Sequence, residues 1–123
     1  MACTAPELEP PAFDASDLLR QLAGDQELMK LILQTFRSEW PRRLAGIHEA
    51  LNQHDQTVLI RHAHTLKGSA RQLSATDAAA ASARVEHAAR QGVLALGGSD
   101  LDTLEWELRR LDRDIVAKLE GPP

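Results

Sequence analysis

The sequence predicts an all-α protein: an antiparallel up-and-down four-helix bundle with a short extra helix at its N-terminus. Aromatic residues make up only 3% of the 123 residues, so leucine, alanine, isoleucine and valine must fill the core, which favours helix packed on helix. Apolar residues recur at steps of three and four, and no stretch alternates as a strand would. Short loops between long amphipathic segments imply antiparallel neighbours.

The first helices are predicted from aspartates that can cap their N-termini. Three such N-caps precede apolar periodic segments: Asp14, Asp25 and Asp55. Asp17 follows the first of them at the spacing of a capping box. The second helix contains Pro41, which removes one backbone donor, so we expect a kink near Trp40 rather than a break.

The later helices follow from the same signals. The third helix is predicted over roughly 56 to 73. Ser74 and Asp77 have the spacing of a capping box and predict a fourth helix that ends near Gly92. The run "GGSD" then forms a turn, and Ser99 begins the last helix.

Length and composition indicate one domain. We expect a tail or linker at residues 1–12, the bundle at 13–120 and a short tail at 121–123, so that the chain can be one module of a longer protein. The net charge of −4, without a basic run, argues against nucleic acid as a partner. The acidic, proline-rich start is not a signal peptide, and no apolar run is long enough to span a membrane. We therefore expect a cytoplasmic monomer that makes no membrane contact.

A helical wheel of the third helix separates its two histidines. The residues that form the buried stripe are Leu59, Ala63, Leu66, Ala70 and Leu73. His64 lies opposite this stripe, on the solvent face. His62 lies about 160° from His64 on the wheel, at the edge of the buried stripe. The wheel thus predicts that His64 is presented to solvent and that His62 is tucked toward the core.

The neighbours of His64 suit phosphoryl chemistry. Lys67, Gly68 and Arg71 lie within about 60° of it on the wheel, and Ile60 lies within about 40°. Glycine costs about 1 kcal/mol against alanine in a helix interior, so Gly68 indicates a need for open space beside the imidazole. Lys67 adds a positive charge within reach of that space. A phosphoryl group on His64 would be bulky and doubly negative, and these neighbours would accommodate it.

The sequence around His64 resembles that of a known family. The stretch "AHTLKGSARQLSA" resembles the motif of histidine phosphotransfer (HPt) domains, in which His-x-x-Lys-Gly-Ser follows a small residue. "FDASDLLRQLAGDQELMKLILQTF" is similar to the family's opening helices, and "ASARVEHAARQG" is similar to the helix after the phosphohistidine. Arg71 and Gln72 depart from the Gly-Asn that is frequent in the family. Ser74 replaces a turn glycine and is expected to keep the turn by capping.

The resemblance implies a phosphocarrier of two-component phosphorelays. His64 would accept the phosphoryl group through Nε2 from the aspartate of a receiver domain and pass it to another receiver. Lys67 would neutralise phosphate charge, and Gly68 would let the receiver approach. Further docking residues would be Ile60, Arg71 and Gln72. The receiver would supply Mg²⁺, so the chain needs no cofactor and no ATP site of its own and is not an enzyme.

The same resemblance implies where such a module works. Its partners would be response-regulator receiver domains and a hybrid sensor kinase. Many such modules are the C-terminal domain of a hybrid sensor kinase, which fits the linker-like tails and would place this chain at the cytoplasmic end of a membrane-bound sensor.

The sequence disfavours three alternative functions. A metal site is disfavoured because His62 and His64 diverge by about 160° on the helix and no Cys cluster or His-Glu-x-x-His spacing occurs. A helical docking module that binds a receiver or kinase domain without being phosphorylated would have no reason to keep Lys67 and Gly68 beside His64. A dimerising kinase helix pair would need a separate ATP-binding domain, whereas this chain closes its own four-helix core.

Overall fold

The computed structural model describes residues 10–93 and 99–121. Within these residues the chain is helical throughout, without strands, and the elements in order are α1 (Ala15–Gln21), α2 (Gln26–Asn52), α3 (Gln56–Gln72), α4 (Thr76–Arg90) and α5 (Ser99–Glu120). The long helices α2 to α5 form an antiparallel four-helix bundle, as predicted, and α1 is the short extra helix. α3 packs between α2 and α4, and α5 closes the bundle against both of these. The predicted turn at Gly97 and Gly98 lies outside the described residues.

The three aspartate N-caps are confirmed. Their side chains accept hydrogen bonds from the backbone N–H three residues on, in Asp17, Leu28 and Val58 respectively. α2 continues through Pro41 to Asn52 without a break. α4 ends at Arg90, where Gly92 adopts the left-handed conformation (φ 83°) and lets the N–H of Val93 return to the carbonyl of Ala88, as expected from the sequence.

The predicted capping role of Ser74 is wrong. Ala75 occupies the N-cap position of α4 and no side chain caps that helix. Ser74 instead adopts φ 59°, the left-handed conformation that explains why a glycine would suit this turn. Its hydroxyl donates to Asp17 Oδ2 at 2.6 Å, and its carbonyl accepts from the N–H of Asp14 at 3.1 Å. Ser74 therefore fastens α1 to the end of α3.

The core is made mostly of leucine and alanine, as the composition predicted. Small residues on α3 and α4 allow these two helices to make the most extensive contact in the bundle. The buried side chains of α3 are Leu59, Ala63, Leu66 and Ala70, with Leu73 just after the helix. This is the stripe predicted by the helical wheel, so the opposite face of α3 is free to carry the site.

The segment before α1 lies against α5. Ala12 was assigned to the N-terminal tail from the sequence, but it is buried and its N–H donates to Asp114 Oδ2 at 2.8 Å. The buried Arg110 donates to the carbonyl of Pro10 at 2.9 Å and pairs with Asp77. None of the described helices has the length and hydropathy needed to cross a membrane.

Candidate functional site

The two histidines of α3 occupy opposite environments. The side chain of His64 is 62% exposed, as the helical wheel predicted. His62 is only partly exposed and rests against α2 at Gly46. A Cβ atom at Gly46 would lie 2.3 Å from Nε2 of His62, so this glycine forms the notch that accepts the ring. The prediction that His64 is presented and His62 is tucked inward is confirmed.

The partner of His62 is a cation. Nη1 of Arg43 lies 3.2 Å from Nδ1 of His62, and since a guanidinium can only donate, Nδ1 must be the acceptor. Burial, together with the nearby charges of Arg43 and Arg61, lowers the pKa of His62 below its ordinary value. His62 is therefore a neutral packing residue of the α2–α3 interface.

His64 has a carboxylate as its partner. Nδ1 of His64 lies 3.0 Å from Oε2 of Glu86, a residue of α4 that is only 5% exposed. The same oxygen accepts two hydrogen bonds from Arg90, at 2.7 and 3.1 Å. Nζ of Lys67 lies 2.7 Å from the other oxygen, Oε1, as an ion pair, although this oxygen accepts no hydrogen bond of good angle. One buried carboxylate thus joins the histidine to two cations.

Glu86 is ionised at all ordinary pH values. Its burial would raise its pKa, but the positive charge of Lys67 and the hydrogen bonds from Arg90 and His64 outweigh this effect and hold the pKa at about 2. An ionised carboxylate can only accept hydrogen bonds, so a neutral His64 must carry its proton on Nδ1. Nε2, which has no hydrogen-bond partner among the described residues, is then left with its lone pair free.

The other predicted site residues lie along the same face of α3. Gly68 is exposed, and a Cβ atom placed on it would meet nothing within 4 Å, so the surface beside His64 is open. Arg71 and Gln72 are exposed as well. Ile60 is only partly exposed, because it packs against the edge of the core. Lys67 is held more tightly than its place on the wheel suggested: its side chain is 19% exposed and bends toward Glu86 on α4.

The sequence reasoning missed Glu86 and Arg90. A signal for Glu86 was present, because the buried stripe of α4 runs through Ser82, Val85 and Ala89, and Glu86 occupies an apolar position of this stripe. A glutamate at such a position needs partners from a neighbouring helix. Which helix lies beside it, and with which register, is a tertiary fact that one sequence does not contain.

The remaining histidines are surface or turn residues. His48 and His87 are exposed on α2 and α4, and His54 occupies the turn after α2 with φ 55°. Within residues 10–93 and 99–121, no group of three His, Cys, Asp or Glu side chains is arranged to hold a metal ion.

Comparisons with known proteins identify a family and a similar fold. The family model described as Hpt domain matches residues 31–114, more than half of the chain. The crystal structure of histidine-containing phosphotransfer protein B (HptB) from Pseudomonas aeruginosa PAO1 superposes with a TM-score of 0.83 at 23% sequence identity, covering 94% of this chain and 100% of that chain. At this identity the likeness shows the fold alone. A search of the curated proteins found no match.

Proposed function

The chain belongs to the Hpt domain family, and we propose that it carries the phosphoryl group of a phosphorelay on Nε2 of His64. Membership of the family makes the chain a phosphocarrier rather than a kinase. The observation that supports His64 as the carrier is its hydrogen bond to Glu86. In a neutral imidazole this bond keeps the proton on Nδ1 and leaves Nε2 unprotonated on an exposed side chain.

The transfer needs no proton to move on this chain. The lone pair of His64 Nε2 attacks the phosphorus of an aspartyl phosphate, and the P–N bond forms as the P–O bond to the aspartate breaks. The electron pair leaves with the aspartate, which becomes a carboxylate. The proton on Nδ1 stays where it is, so the phosphorylated ring carries a positive charge next to the Glu86 carboxylate. That attraction stabilises the phosphorylated ring, and the reverse transfer to a second receiver follows the same path.

Lys67 and Arg90 supply the positive charges that an incoming phosphoryl group needs. Both cations contact Glu86 before transfer. Lys67 lies three residues from His64 on α3, and Arg90 on α4 contacts the same Glu86 oxygen as His64 does. The ammonium of Lys67 has three N–H groups, so while it faces Glu86 another of them can turn toward a phosphate oxygen. Glu86 in this proposal positions the imidazole, and Lys67 neutralises charge at the phosphoryl group.

The docking surface is the exposed face of α3. We assign it to Gly68, Ile60, Arg71 and Gln72, which border His64 along that helix. The bare backbone at Gly68 allows a receiver to reach Nε2 without displacing a side chain. Receiver domains would provide the Mg²⁺ and the aspartate, and a hybrid sensor kinase would start the relay. The chain would act as a cytoplasmic monomer without an ATP site.

A transfer assay tests the carrier. Purified chain is mixed with a phosphorylated receiver domain and Mg²⁺, and acid-labile, base-stable label is followed on the chain. We expect label on wild type and none on His64→Gln, while both give the same helical circular dichroism because His64 is a surface residue.

The matched control is His62→Gln, one residue away on the same helix. We expect it to accept label, because His62 faces Gly46 and Arg43 rather than the site. Loss of label in His62→Gln with retention in His64→Gln would overturn the assignment. Phosphoramidate, a small phosphodonor, separates chemistry from docking: label from phosphoramidate on wild type, with none from any receiver, would show a reactive histidine that serves no receiver relay.

A further inference from the structure

The face of α3 around His64 is positively charged, in contrast to the rest of the chain. α3 contains Arg61, Lys67 and Arg71 and no aspartate or glutamate, whereas the whole chain has a formal net charge of −4. α5, which lies diagonally across the bundle from α3, has seven acidic and four basic side chains. The positive charge is therefore concentrated on the helix that presents His64.

The cations on this face are of two kinds. Lys67 is held by Glu86, as described above. Arg61 and Arg71 are exposed, and neither forms an ion pair with any residue in the described part of the chain. Arginines elsewhere do have carboxylate partners within 4.0 Å; on α1, α2, α4 and α5 these are Arg20, Arg37, Arg42, Arg43, Arg84, Arg90, Arg109, Arg110 and Arg113. The two arginines of α3 differ from these, because neither has a carboxylate partner among the described residues.

Their positions bracket the histidine. Arg61 precedes His64 by three residues and Arg71 follows it by seven, so along the helix axis they lie about 4.5 Å and about 10 Å from it, on opposite sides. A partner that brings a phosphoryl donor onto Nε2 must cover both. Covering an unpaired guanidinium with an apolar surface is costly, and a carboxylate in the partner removes that cost.

We propose that Arg61 and Arg71 select receiver domains that carry carboxylates on both sides of the phosphorylated aspartate. This inference rests on the proposed function and names the chemistry of the partner. Charge pairs at the rim of an interface act mainly on the association rate and on discrimination between partners. A nucleic acid is a weaker match, because so few cations on a chain of net negative charge neutralise few phosphates.

The test is the salt dependence of phosphoryl transfer from a receiver that labels wild type. Wild type, R61Q, R71Q and R61E/R71E are compared by rapid quench at low and high ionic strength. The matched control is R109Q, an exposed arginine on α5, across the bundle from α3. We expect kcat/KM at low salt to fall about threefold to tenfold for each glutamine variant and about 100-fold for the double reversal. We expect kcat at saturating receiver to change less than kcat/KM, and R109Q to match wild type.

The slope of the salt dependence separates docking from a structural role. A partner contact makes the slope shallower in R61Q and R71Q, whereas stabilisation of the C-terminus of α3 by Arg71 would change the melting temperature and leave the slope unchanged. Wild-type kcat/KM and slope in both glutamine variants would overturn the inference and leave the carrier function intact. Absence of transfer to wild type from every receiver would overturn both, and tighter binding of wild type to single-stranded DNA than to receiver, weakened in R61Q and R71Q, would replace the partner.

Discussion

His62 and His64 are separated by one residue, yet the structure gives them opposite surroundings. His64 projects into solvent and its Nδ1 meets the Glu86 carboxylate. His62 fits a notch at Gly46, and its Nδ1 meets the Arg43 guanidinium. The carboxylate requires a proton on Nδ1 of His64, and the guanidinium forbids one on Nδ1 of His62.

The difference shows that the partner on the neighbouring helix decides what each imidazole can do. His64 keeps its free lone pair on the exposed side of the ring, where a phosphoryl donor can reach it. In His62 the unprotonated nitrogen, Nδ1, accepts a hydrogen bond from Arg43, and Nε2 faces α2 at Gly46. Exposure and protonation state therefore point to the same histidine, and substitutions at Glu86, Gly68 and Gly46 can break or sharpen this comparison.

The largest effect is expected for Glu86→Gln. The amide has nearly the same shape but no charge, and it can donate as well as accept, so it no longer fixes the proton on Nδ1 or stabilises a positively charged phosphorylated ring. We expect transfer to fall about tenfold to 100-fold, the range for partners that orient a functional histidine. Single-turnover transfer, with circular dichroism as the check on folding, measures this. Wild-type transfer in Glu86→Gln would show that exposure alone distinguishes the two histidines.

The same variant tests the ionisation of Glu86 through stability. The pKa of Glu86 in the folded chain is about 2, below its ordinary value of 4.5. The ionised group therefore stabilises the fold above about pH 4.5, and this stabilisation is lost as the pH falls through about 2. Urea unfolding of wild type and Glu86→Gln between pH 2 and 6 should show a difference in free energy that shrinks toward pH 2. A constant difference would mean that folding does not lower the pKa of Glu86.

A smaller effect is expected at Gly68. Because a Cβ atom there would meet nothing, Gly68→Ala should stabilise the helix by about 1 kcal/mol and leave transfer near the wild-type rate. Gly68→Gln should keep the fold but slow transfer by about tenfold, because its side chain would stand in the path of the receiver. Thermal melting and transfer rates check both. Equal transfer by the alanine and glutamine variants would remove the steric role of this glycine.

The sequence predicted most of what depends on one helix at a time. The stripe of α3, the exposure of His64 and the aspartate caps follow from periodicity and from local hydrogen bonds, and they are confirmed. The prediction that Ser74 caps α4 was wrong, because its hydroxyl donates a hydrogen bond to Asp17 on a different helix. Glu86 was missed for the same reason, since its partners lie on α3. Local rules fail where two helices share a side chain, and the site is built at such a point.

The smallest effect on transfer is expected at Gly46, which probes the His62 side. In wild type, Gly46→Ala would press a methyl group into the His62 ring and displace it from Arg43. Overpacking of this kind costs about 1–3 kcal/mol, offset by about 1 kcal/mol of helix propensity, so we expect the free energy of unfolding to fall by up to about 2 kcal/mol. Urea unfolding measures it. Transfer should be retained, because neither residue contacts Glu86.

The sharper form of this experiment is a double-mutant cycle with His62→Ala. Once the ring is removed, the notch is empty and Gly46→Ala should change sign, raising the free energy of unfolding by up to about 1 kcal/mol. A destabilisation that is the same in both backgrounds would mean that the methyl group meets something other than His62. It would also mean that the notch does not fix the inward position of this histidine, and the contrast with His64 would then rest on the Glu86 carboxylate alone.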